Sequence, residues 1–98
     1  MQFFKSLSAG THIVTFKVYP PVRVTNIYIE TDNDITIKDN YGLLASDEGT
    51  VPLAMGGVMN IPCDDILGIS PIQFEIVTTA TTTKVLLQVT VEPAGYSS

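Results

Sequence analysis

Ile72-Gln73-Phe74-Glu75-Ile76-Val77 and, beyond the run Thr78-Thr79-Ala80-Thr81-Thr82-Thr83, Val85-Leu86-Leu87-Gln88-Val89-Thr90-Val91-Glu92 are the stretches whose reading decides the fold. In the first, Ile72, Phe74 and Ile76 alternate with Gln73, Glu75 and Val77. In the second, Val85, Leu87, Val89 and Val91 alternate with Leu86, Gln88, Thr90 and Glu92. Period two puts successive side chains on opposite faces of an extended chain, so each stretch reads as a strand with one core-facing side. The Ala-Thr run between them is a stiff, β-branched connection that can extend either strand.

The same period recurs upstream. His12, Val14, Phe16 and Val18 share one face, and Ile13, Thr15, Lys17 and Tyr19 the other, until Pro20-Pro21 removes two backbone donors and stops the ladder. From Val22 to Thr31 the parity breaks: Val22 and Val24 fall on one side, Ile27 and Ile29 on the other. A bulge near Thr25-Asn26, or burial of both faces, reconciles the two pairs. Asp32-Asn33-Asp34 is a turn by composition, which predicts a hairpin between Ile27–Thr31 and the short strand Ile35-Thr36-Ile37. Asp39-Asn40-Tyr41-Gly42 makes the next turn, and Ser46 to Gly49 a loop. Val51, Leu53 and Met55 alternate before Gly56-Gly57, Val58 to Ile61 is a brief strand closed by Pro62, and Ile66-Leu67-Gly68-Ile69 lies between polar turns.

No helical-period segment interrupts these runs. Seven or eight short strands at close spacing predict an all-β antiparallel β-sandwich, and a tally of eight favours a jelly roll over an immunoglobulin-like arrangement. Residues 1–8, with Phe3 and Phe4, read as an N-terminal arm or first strand, 9–95 as one sandwich domain, and 96–98 as a C-terminal tail. Thr (12), Val (10) and Ile (10) together supply a third of the 98 residues, as a strand-rich chain requires.

Charge is scarce and unevenly placed. Charged residues make up 15% of the chain, below the usual quarter, which leaves less solvated exterior than a free monomer carries. Residues 1–29 hold Lys5, Lys17 and Arg23 and no acid, 30–65 hold eight acids against Lys38, and the remainder holds Lys84, Glu75 and Glu92. This polarity argues against a nucleic-acid surface, which needs clustered Lys and Arg, and suits contacts between copies of one chain. No apolar run reaches membrane-spanning length. The first ten residues, with Lys5 inside their short apolar run, do not read as a signal peptide. None of Asn26, Asn33, Asn40 and Asn60 has the Ser or Thr that glycosylation needs two positions on.

Chemistry-bearing residues are few. His12 is the single imidazole, with no acid between it and Glu30, and it begins a strand in the parity of Val14 and Phe16. That placement suits packing rather than nucleophilic catalysis. Cys63 is alone, so it forms no disulfide within the chain, and Asp64-Asp65 beside it disfavour a thiolate. One His and one Cys cannot build a structural zinc site. Asp32, Asp34 and Asp39 could lend oxygens to calcium, with Asp47-Glu48 or Asp64-Asp65 completing a site, but turn residues are the simpler account. Gly56-Gly57 lacks the helix and Lys of a phosphate loop.

The cadence of Val24 to Ile29, Asp34 to Ile37, Leu67-Gly68-Ile69 leading into Ile72 to Thr78, Thr79 to Thr83, and Lys84 to Val91 resembles the small β-sandwich virion proteins of bacterial viruses. Those serve as capsid, vertex, decoration or connector pieces. The resemblance transfers no functional residue and does not extend over 43–65. It implies a non-enzymatic structural subunit of a viral particle, made in the host cytoplasm and located in the virion. Such a subunit pairs with copies of itself and with other virion proteins, and needs no cofactor, nucleic acid or membrane. Phe3 and Phe4 in an N-terminal arm and Tyr96 in the tail are the expected contacts, and an arm predicts that removing 1–8 weakens assembly without unfolding the domain. The alternative is a carbohydrate- or ligand-binding β-module, which requires an exposed aromatic cluster such as Tyr19, Tyr28 and Tyr41. A metal-binding barrel enzyme needs several His where only His12 stands.

Overall fold

The alternating runs form eight strands: β1 (Gln2–Leu7), β2 (Gly10–Phe16), β3 (Val22–Thr31), β4 (Ile35–Asp39), β5 (Val51–Leu53), β6 (Val58–Leu67), β7 (Ile72–Thr78) and β8 (Thr83–Pro93). The structure is a computed structural model that describes residues 1–18, 22–44, 51–53, 57–67 and 71–93, with the backbone alone at 51–53 and 65–67. Tyr19, Asp47, Glu48 and Tyr96 lie outside the described residues.

Two four-stranded antiparallel sheets form, one in the order β1-β8-β3-β6 and the other β2-β7-β4-β5. Successive strands alternate between the sheets except at β4–β5, which stay together. That connectivity is the two-Greek-key jelly roll. Phe74, Ile76, Ile72, Ile27, Ile29, Ile37, Val85, Leu87 and Val89 fill the space between the layers. The rings of Phe16 and Phe74 meet edge to face, centroids 5.9 Å apart, which adds about 1 kcal/mol to the burial of the pair.

The parity break in β3 is a bulge. The register with both β6 and β8 shifts between Val24 and Asn26, and the extra residue lets Val22, Val24, Ile27 and Ile29 all point inward.

Two expectations from the sequence do not hold. The predicted hairpin across Asp32–Asp34 is absent: β3 pairs with β6 and β8, whereas β4 pairs with β5 and β7. The reason lies in the corner itself. Asp32 N–H donates to Lys84 O and Asp32 Oδ1 accepts Lys84 N–H, so the chain stays on β8 through Asp32. Asn33 N–H then donates to Thr31 Oγ1 and Asn33 Nδ2 donates to Thr82 O, lashing the corner to the β7–β8 connection while the chain crosses to the other sheet. Pro62 also does not end a strand. β6 runs from Val58 to Leu67, because it is the outermost strand of its sheet and a proline's missing donor goes unmissed there.

Gln2–Leu7 is a strand and not a free arm: every residue of it is paired with β8, from Gln2 opposite Gln88 to Leu7 opposite Thr83, and Leu7 is buried.

Opposite that corner, the Asp39 carboxylate organises the turn after β4. Its Oδ2 accepts the N–H groups of Tyr41 and Leu43, and Oδ1 accepts that of Leu44, which seats Leu44 in the core.

Candidate functional site

The outer face of the β1-β8-β3-β6 sheet is built in rungs, because residues opposite one another in antiparallel strands project to the same side. One rung runs Phe4, Leu86, Glu30, Val58 across all four strands. Phe4 and Val58 are 65% and 56% exposed, while Leu86 is half-buried between its neighbours. Phe4, Leu86, Glu30, Thr31, Asp32 and Lys84 line an open concavity of about 380 Å³. The next rung is polar: Gln88 Nε2 donates to Gln2 Oε1 at 3.1 Å, and Tyr28 and Asn60 continue it. Asn26 Nδ2 donates to Asn60 Oδ1 at 2.7 Å. At the far end Arg23 sits between Asp64 (2.5 Å) and Glu92 (3.5 Å). The apolar side chains of the face are therefore gathered in the first rung, around Glu30, with amides in the middle and the Arg23 ion pairs at the far end.

Tyr28 O–H donates to Glu30 Oε2 at 3.0 Å. That bond, partial desolvation and the carboxylate's charge all disfavour the phenolate, so the Tyr28 pKa is raised from its ordinary 10.0. The pair holds Glu30 beside the apolar rung with its charge partly satisfied.

Of the three residues expected to make contacts, Phe4 is presented on this face. Phe3, its neighbour in the strand, points the other way, opposite Leu87, and packs against the core. Tyr96 is outside the described residues. The row that accompanies Phe4 was not readable from the chain. Leu86 and Val58 are far from Phe4 in sequence, and only strand pairing makes them neighbours.

The remaining candidates resolve into structural roles. His12 Nε2 is 2.7 Å from Ser8 O, so this nitrogen carries the proton and ties β2 to the end of β1. Cys63 Sγ donates to Ile61 O at 3.5 Å and packs against the core. Asp32 and Asp39 spend their carboxylates on backbone N–H groups, and Asp64 pairs with Arg23. Among the described residues no three His, Cys, Asp or Glu side chains cluster as metal ligands. Tyr28 lies on the outer face of β3 whereas Tyr41, after β4, packs against the core, so these two do not share a platform.

The opposite outer face, on β2-β7-β4-β5, carries Ile13 of β2 at 59% exposure, opposite Glu75, which in turn pairs with Lys38 at 3.1 Å. Comparison with known protein families, curated proteins and solved structures finds no match to this chain.

Proposed function

We propose that this chain is a structural subunit of a viral particle (a capsid, vertex, decoration or connector piece) that works by symmetric association with copies of itself and with other virion proteins. The observation that carries this reading is the strand order β1-β8-β3-β6 over β2-β7-β4-β5, the jelly roll that viral capsid domains share with lectins and cupins. Fold and function are linked here by analogy of architecture, so the physical support must come from the surface. The exposed Phe4 and Val58, at the two ends of a rung whose middle holds Glu30 and the half-buried Leu86, and the low charge both favour a face that is covered in use. A cupin-type metal site draws on several His, and His12 stands alone in the chain. In this reading the contact comes from the face of a fixed strand, with Phe4 as its apolar anchor.

Native mass spectrometry and negative-stain electron microscopy of the purified protein test the proposal. The expected outcome is a closed oligomer of defined stoichiometry that weakens in Phe4→Ser without loss of thermal stability. A monomer at every concentration up to the solubility limit refutes it, and saturable binding on a glycan array by that monomer favours the carbohydrate-binding alternative.

A further inference from the structure

A two-sheet sandwich has four outermost strands, and here they are β1 and β6 in one sheet and β2 and β5 in the other. An outermost strand offers a row of unpaired backbone groups to any other strand, and proteins that do not use an edge blunt it with prolines, charges, bulges or shortness. Three of the four carry such a device. β5 has only three residues, and Pro52 is one of them. β6 contains Pro62 and the acids Asp64 and Asp65, and its partner β3 bulges beside it. β1 places Lys5 between Phe3 and Leu7 on the core-facing side, opposite the buried Val85, yet Lys5 itself stays exposed. A charge aimed inward at an edge is tolerated in a free strand and penalised once another strand covers it.

β2 has none of these. Gly10-Thr11-His12-Ile13-Val14-Thr15-Phe16 contains no proline and no acid, Lys or Arg, and it pairs with β7 alone among the described residues. Its composition is that of an inner strand, rich in β-branched and aromatic residues. Its outward residues Thr11, Ile13 and Thr15 are all exposed, and Ile13 sits at the middle of the seven.

We infer that β2 is the strand by which two copies of this chain join, antiparallel about a two-fold axis at Ile13. The inference rests on the association reading above and adds to the Phe4 face a second contact, at a strand edge of the other sheet. Symmetry then sets the register without further choice: Ile13 faces its own copy, Thr11 faces the partner's Thr15, and His12 faces the partner's Val14. The Ile13 pair and the two Thr pairs lie on the outer face, where opposed β-branched and hydroxyl side chains support one another. The basic residue just past the strand, Lys17, falls at opposite ends of the paired strands and does not meet its copy. The product is one continuous eight-stranded sheet, β5-β4-β7-β2 joined to its copy, in which two open edges have been removed. A second copy fits this edge better than an unlike chain of strong charge, because His12 is the single titratable side chain of β2 and its Nε2 is already engaged by Ser8 O.

Ile13→Lys and Ile13→Glu each place like charges across the two-fold, and each is expected to weaken self-association at least ~10-fold by sedimentation or native mass spectrometry. An equimolar mixture of the two variants is expected to recover a heterodimer, since the same positions now carry opposite charges. Ile13 is 59% exposed in the single chain, so both variants are expected to fold, with Ile13→Glu the less stable because it faces Glu75 of β7. Should either fail to fold, Ile13→Cys in a Cys63→Ser background supplies the second reading, a disulfide-linked dimer on mild oxidation. An oligomeric wild type whose Ile13 variants associate unchanged, or whose Ile13→Cys form stays uncrosslinked, overturns the β2 contact and leaves the structural-subunit reading standing. A wild type that is monomeric at all concentrations overturns both.

Discussion

Replacing Thr78 by Val removes one partner from a hydroxyl pair buried between the sheets. Thr78 closes β7 in one sheet, Thr83 opens β8 in the other, and their Oγ1 atoms lie 2.7 Å apart with both residues essentially inaccessible. Valine keeps the β-branch and nearly the shape of threonine, so the change acts chiefly on the hydroxyl. A single replacement leaves the other hydroxyl buried without its partner and is expected to cost about 1.5 kcal/mol, within the range for an orphaned polar group. The double variant Thr78→Val with Thr83→Val removes both dipoles and puts two methyl groups in contact. It should lie within about 0.5 kcal/mol of wild type, giving a coupling of about 2.5 kcal/mol in the cycle. For a chain of 98 residues each single variant should melt about 7 °C lower, and the double variant close to wild type. Thermal or urea unfolding of the four proteins measures this directly. If the double variant loses the sum of the single losses, the two hydroxyls act independently, and the reasoning about their mutual satisfaction is wrong.

Removing residues 1–7 strips β1 from β8 and takes the buried Leu7 with it, exposing one side of Val85 and Leu87. A loss of more than about 3 kcal/mol is expected in urea unfolding, by the cost of emptying a core leucine site plus the lost strand. An unchanged midpoint would restore the free-arm expectation. Tyr28 supplies a pH signature. Its folded-state pKa lies above the ordinary 10.0, so its hydrogen bond to Glu30 stabilises fully below that value and is lost as pH rises through the higher folded one. The difference in phenolate absorbance between wild type and Tyr28→Phe during alkaline titration should therefore show this tyrosine ionising above 10.0, and the variant should lose the associated fall in stability.

Alternation made the faces of β2, β7 and β8 legible, because a half-buried strand writes its core side in every second residue. The parity break near Thr25-Asn26 left a bulge or burial of both faces open, and the register shift between Val24 and Asn26 makes it a bulge. Pro62 misled because a proline stops a central strand but not an outermost one, and being outermost is a property of the whole sheet. The Asp32–Asp34 turn misled because turn composition marks where a chain changes direction without saying which sheet it enters next. The bonds that decided this, from Asp32 to Lys84 and from Asn33 to Thr82, join residues about fifty positions apart.

Local periodicity in the sequence was enough to establish an all-β chain of seven or eight strands, the inward residues of most of them, and the scarcity of groups able to do covalent chemistry. Those are properties of one residue and its near neighbours. Which strands lie at the edges, that Phe4 shares a rung with Leu86 and Val58 while Phe3 faces the core, and that β2 alone is left unblunted were decided by pairing across the sheets. Backbone hydrogen bonds between strands are nearly indifferent to side-chain identity. Their partners are selected by how the whole set of apolar faces closes over one core, which no single segment specifies.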